Sequence, residues 1–208
     1  MITFKEIDER IHHYEEEIHW CTNHIRNLSE NIKIETNKEQ ITFFENQTMK
    51  MQFFCFVTTS YIDLLCSYKN LKRSKSNWEN FYNLKIAYLI IYETINTYHK
   101  YKGDIYRTIT KEKIEFYERF FDMLNRELHE FKVEYKYEEI MPKIRNKSTA
   151  HYDKDFLEYY TSYEMLGNFE TKDIIQSFLN FMNPLHYFTY GLSKGEIDEF
   201  LFINSWLT

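Results

Sequence analysis

A chain of 208 residues has room for one domain with a real core, able to bury roughly 70% of the surface its unfolded form exposes. Only four glycines and two prolines argue against turn-rich β architectures and long flexible linkers. The formal net charge of −6 separates it from general nucleic-acid binders, although a local basic patch stays compatible with that total.

Eighteen Phe and eighteen Tyr imply a ring-rich core in which many hydroxyls need partners. Cys21, Cys55 and Cys66 are odd in number and share no close spacing, so they read as small buried residues in a reducing compartment. The first twenty residues are charged and lack an apolar block, so no secretory signal is read. The most apolar stretch, from Phe53 to Cys66, contains Asp63 and is too short to span a bilayer. The expected compartment is cytoplasmic, with no membrane partner.

The first predicted helix is the clearest element. Phe4, Ile7, Ile11, Tyr14, Ile18, Cys21, Ile25, Leu28 and Ile32 recur at spacings of three and four, giving a seam that suits either its own bundle or a second subunit. Thr3 with Glu6 forms a capping box at its start, and Thr36 with Glu39 predicts another for the next helix, about 38–72. That second helix is apolar on most sides from Phe53 to Leu65, which predicts a central position. A basic connection follows, with Lys69, Lys72, Arg73 and Lys75.

Ser76 and Glu79 cap a third helix that carries Leu84, Ile86, Leu89, Ile90 and Ile95 and is expected to stop at Gly103. A fourth, about 111–134, turns Ile114, Tyr117, Phe120, Phe121, Leu124, Leu128 and Phe131 inward. A shorter helix over 137–152 holds Pro142 near its first turn, where proline is tolerated. Further helices are expected at about 155–166, at 172–190 ending on Gly191, and after a cap at Ser193 and Glu196. No repeat or internal boundary divides the chain. The reading is all-α: a single helical domain over 1–208, built as a bundle of long antiparallel helices with shorter C-terminal ones.

Cofactor chemistry finds little support. Glu16 and His19 make one Glu-x-x-His unit, but a di-metal bundle needs a second, and none is found. His12, His13, His19 and His24 share that helix on a face away from its seam, as a solvated polar face does. Zinc spacings, phosphate loops and serine-hydrolase elbows are all missing from the sequence. No cofactor or metal is expected.

The segment from Lys143 to Lys154 is different. Lys143, Arg145, Lys147 and Lys154 face Asp153 alone, making it locally basic inside an acidic chain. Arg145, Asn146 and His151 bring a permanent cation, an amide and an imidazole within seven residues. An imidazole can take the ribose 2′-OH proton or protonate the leaving oxygen, because its pKa lies near neutrality. A guanidinium can hold the phosphate bidentately. On an ideal helix residues six apart point about 120° from each other. Either the helix is irregular near Ser148 and Thr149, or one site draws on two protomers.

This segment resembles the HEPN superfamily, the higher eukaryotes and prokaryotes nucleotide-binding domains. The family signature is an Arg, usually followed by a polar residue such as Asn, then a His after four to six intervening residues. Arg145, Asn146 and His151 match it with five between, in an all-helical chain and at a late position. The resemblance implies a homodimer that joins two motifs in one cleft, and metal-independent RNA cleavage in a defence, toxin–antitoxin or RNA-processing setting. It implies His151 as general acid/base, Arg145 as phosphate ligand and Asn146 as an orienting group. Lys143 and Lys147 would contact substrate, and Asp63 is the candidate for the acidic residue that many members carry on an earlier helix. A subset of members has a Tyr two residues after the His that a partner enzyme modifies; here Tyr152 is adjacent to His151 and Asp153 holds the second position, so that control is not expected. Some relatives only bind or scaffold, so the alternative expectation is a non-catalytic helical module for RNA, a nucleotide or a protein partner such as an antitoxin. Tyr159, Tyr160 and Tyr163 offer stacking surfaces for bases, or simply core.

Overall fold

In the computed structural model, residues 2–108, 114–144, 157, 160, 161, 163, 164 and 171–195 are described. They form α1 (Phe4–Ile34), α2 (Lys38–Arg73), α3 (Asn77–Thr108), α4 (Ile114–Glu134), α5 (Tyr137–Ile144) and α6 (Thr171–Lys194), with no strand among the described residues. The all-α expectation holds. Nor is any helix among them long and apolar enough to cross a membrane.

Short connections at 35–37 and 74–76 fold α1, α2 and α3 back on one another. α2 is the hub: α1, α3 and α6 all pack along it. Its sequence explains this, because Phe53, Phe54, Val57, Tyr61, Leu64 and Leu65 point in several directions and each is fully enclosed. α1 lays its seam on α2, burying Ile7, Cys21 and Leu28, so that stripe serves its own bundle. α4 buries Tyr117, Phe120, Phe121, Leu124, Leu128 and Phe131 as its spacing predicts. α5 packs chiefly on α3 and α4.

The helix starts show which caps the backbone uses. Thr3 and Glu6 close the expected box: the Glu6 carboxylate accepts from the Thr3 N–H at 2.7 Å, and the Thr3 hydroxyl accepts from the Glu6 N–H at 3.3 Å. Ser76 and Glu79 do the same at 3.1 and 3.2 Å. α2 departs from expectation. Its cap is Asn37, whose carboxamide oxygen accepts from Glu39 and Gln40 N–H groups, while Glu35 rather than a Thr36 box accepts from the two N–H groups before it. An Asn at the cap is as good an acceptor as Thr and sits one residue closer.

Two glycines expected to end helices do not. α3 runs through Gly103 to Thr108, and α6 runs through a buried Gly191 to Lys194, with Ser193 inside its last turn rather than capping a new helix. The left-handed position falls on Gly195 (φ 78°), where the chain leaves α6. At Gly103 a Cβ would meet nothing within 4 Å. Gly103→Ala is therefore expected to raise unfolding free energy by about 0.5–1 kcal/mol, read as a higher urea midpoint. Pro142 stands in the second turn of α5 rather than its first. Pro184 lies inside α6, where it removes one helix hydrogen bond.

Of the apolar residues named on α3, Leu84 and Ile95 are buried and Ile86, Leu89 and Ile90 half-buried, while Phe81, Tyr88, Ile91 and Tyr98 also belong to its buried face. Tyr98 is accommodated because its hydroxyl donates to Asn125 Oδ1 of α4 at 3.1 Å. Of the cysteines, Cys21 is buried, Cys55 half-buried and Cys66 exposed, so the third does not follow the buried reading. Cys21 Sγ donates to the Met51 carbonyl at 3.4 Å, and its hydrogen bond with Cys55 and its burial push the thiol pKa up.

Candidate functional site

Arg145, Asn146, Lys147 and His151 lie outside the described residues, as does Tyr159. What is described is the element that delivers the segment. α5 seats Tyr137, Ile140, Met141 and Ile144 in the core at i, i+3, i+4 and i+7, each no more than 3% exposed. Tyr137 stacks on Tyr92 with an interplanar angle of 13°, and Lys132 of α4 covers the Tyr137 ring at 4.8 Å while pairing with Glu138 at 3.2 Å. The last described residue before the motif, Ile144, is fully buried. The backbone therefore reaches Arg145 from a fixed point.

Lys143 stands exposed on the outer face of α5 and pairs with Glu139 at 3.8 Å, one helical turn away. Asp63 lies on the exposed side of α2, where partial burial pushes its carboxyl pKa up. α2 packs chiefly on α1, α3 and α6, and α5 chiefly on α3 and α4, so no principal helix contact joins these two residues. Three of the four cations expected in a basic connection, Lys69, Lys72 and Arg73, lie instead in the last turns of α2, where they are spent on structure. Lys69 pairs with Asp8, Lys72 Nζ donates to the Ile2 carbonyl at 2.6 Å, and the Arg73 guanidinium lies over the Phe4 ring at 4.9 Å. These groups fasten the start of α1 to the end of α2. Tyr163 packs on Trp78 and against the edge of Phe81, while Tyr160 is more exposed.

Two of the four histidines of α1 pair with carboxylates one turn on: His12 with Glu16 at 3.6 Å and His13 with Glu17 at 3.4 Å. Glu17 is also met at 3.0 Å by His186 of α6, whose ring packs against Tyr14 and Phe54. Among the described residues no three metal-ligating side chains gather into one group.

A second cluster, invisible to local patterning, lines a cleft of about 250 Å³ between α1, α2 and α6. Arg10 Nη1 donates to the Tyr61 hydroxyl at 3.1 Å, and that hydroxyl donates in turn to Asn183 Oδ1. Gln176 Nε2 donates to Asn180 Oδ1 at 3.4 Å beside it. Burial pushes the Tyr61 phenol pKa up, against the opposing pull of Arg10, so the ring stays neutral and its proton stays in the chain. The only sequence hint was a carboxamide at 176, 180 and 183 along one face of α6, four and three residues apart. Comparison of the chain with protein-family models, with curated proteins and with solved structures gives no match.

Proposed function

We propose that this chain is a metal-independent endoribonuclease of HEPN type, acting as a cytoplasmic homodimer in a defence or toxin–antitoxin setting. The observation that carries the reading is Arg145-Asn146 with His151 in a locally basic segment of an otherwise acidic, all-helical chain. One structural fact supports it. The segment follows directly on a helix anchored by four buried side chains, as a site needing precise placement requires.

In this mechanism the ribose 2′-oxygen attacks the adjacent phosphorus and the P–O5′ bond breaks. The 2′-OH proton leaves to a base, and the departing 5′-oxygen gains a proton from an acid. In the proposed dimer His151 of one protomer serves one of these transfers and His151 of the other protomer serves the second. Arg145 holds the non-bridging oxygens and stabilises the charge that grows on them. Asn146 orients the pair. Lys143 and Lys147 guide the backbone; the exposed Lys143–Glu139 pair is weak enough to yield to a phosphate. Asp63 is the acidic residue of an earlier helix in this reading.

The test is the chemistry of the ends. Single-stranded RNA of mixed sequence is expected to give 2′,3′-cyclic phosphate and 5′-hydroxyl products. Products ending in 5′-phosphate would contradict the mechanism. An RNA that is bound and left intact would favour the non-catalytic module instead.

A further inference from the structure

The cleft between α1, α2 and α6 holds more hydrogen-bond donors than the protein uses itself. Two of its carboxamide oxygens are used internally: Asn183 Oδ1 accepts from Tyr61, and Asn180 Oδ1 accepts from Gln176. The Tyr61 hydroxyl both accepts and donates, so it has no proton left to offer. What remains is one buried acceptor, Gln176 Oε1, which has no partner among the described residues, against several donors. The amide N–H groups of Asn180 and Asn183 make no hydrogen bond among the described residues, and Arg10 uses one guanidinium nitrogen on Tyr61 out of a fork of five N–H donors. Arg10 forms no ion pair among the described residues, although half-buried. Glu6, one turn before it, is occupied with the Thr3 cap through Oε2 and offsets part of the positive potential.

We propose that this cleft binds a small oxyanion, a carboxylate or a phosphate monoester, anchored by Arg10 and flanked by the amide groups of Asn180 and Asn183. Tyr61 is a positioning residue: its hydroxyl fixes the guanidinium at one nitrogen and leaves the others turned to the guest. A planar guanidinium suits an oxyanion because two parallel N–H groups match two oxygens. The volume of about 250 Å³ lies above the roughly 150 Å³ that holds a benzene ring and below the roughly 300 Å³ at which larger ligand pockets begin. The guest is therefore small. Glu6 disfavours a doubly charged one. No residue of this cleft belongs to the Lys143–His151 segment, so the site stands or falls separately from the ribonuclease reading.

The experiment follows ³¹P line width of inorganic phosphate and ¹³C line width of labelled acetate at pH 6 and constant chloride. Wild type is set beside Arg10→Gln and Asn180→Asp. Asn180 is exposed, and aspartate keeps the oxygen that accepts from Gln176 while placing a negative charge at the guest, so this variant tests the site without disturbing the core. Saturable broadening with wild type, weakened at least tenfold in both variants, is expected. A response confined to phosphate assigns a phosphate monoester, and one confined to acetate assigns a carboxylate. No broadening in either arm, or broadening that both variants retain in full, would overturn the proposal.

Discussion

His151→Ala is expected to lower the rate of RNA cleavage by about 10²–10⁴-fold, the usual contribution of a positioned acid or base. The reasoning is chemical. Methyl replaces the one group in the Lys143–Lys154 segment able to exchange a proton near neutral pH, since its other titratable side chains are lysines, an arginine, a tyrosine and an aspartate. Arg145→Lys is a companion with a different signature. It keeps the charge and loses the planar fork, so cleavage is expected to fall about 10²-fold or more through lost transition-state stabilisation. Initial rates on one RNA, with far-ultraviolet dichroism to confirm unchanged helix content, check both. A His151→Ala rate within threefold of wild type would remove His151 from the chemistry.

The largest stability effect is expected at Phe121. This residue is fully enclosed on α4, with ring centroids of Tyr98 at 6.4 Å, Tyr106 at 5.1 Å and Phe188 at 4.9 Å around it, the last edge-on. It joins α3, α4 and α6 at one point, so neighbours cannot collapse into the space a methyl leaves. Phe121→Ala is expected to cost about 3–5 kcal/mol, combining lost transfer free energy with a residual cavity. Such a loss is a large part of the roughly 5–15 kcal/mol that holds a domain folded. Phe43→Ala is the control. Its ring on α2 is 56% exposed, and the change is expected to cost under about 1 kcal/mol. Urea unfolding of both variants measures the difference; equal midpoints would contradict the packing described.

What could be read from residue order divides along physical lines. Helices that bury one stripe announce themselves: α4 buries six of its seven expected inward residues, and α1 turns its seam to α2 with Ile7, Cys21 and Leu28 buried, Phe4 exposed and the rest half-buried. The capping boxes at Thr3 and Ser76 were legible because each closes within four residues. Gly103 and Gly191 misled, since glycine ends a helix only where the backbone turns left-handed, and the packing of the residues beyond it decides that. Part of the buried face of α3 was hidden by tyrosines: Tyr88 and Tyr98 count as half-polar in a pattern, yet both are buried, Tyr98 with its hydroxyl satisfied by Asn125. Long-range polar contacts were beyond reach for a plainer reason. Arg10 meets Tyr61 across 51 residues, Tyr61 meets Asn183 across 122, and Glu17 meets His186 across 169. Nothing local marks such partners. The Arg145-Asn146 and His151 motif is the reverse case, since the chemistry proposed for it was read from short spacing alone.

The measurement that bears most directly on the central claim is cleavage of a mixed-sequence single-stranded RNA by the wild-type chain, with and without excess EDTA. The expected result is the same rate in both arms, because in the proposed mechanism Arg145 and His151 supply the charge and the proton transfers. Intact RNA in both arms, or cleavage that stops when EDTA is added, would contradict it.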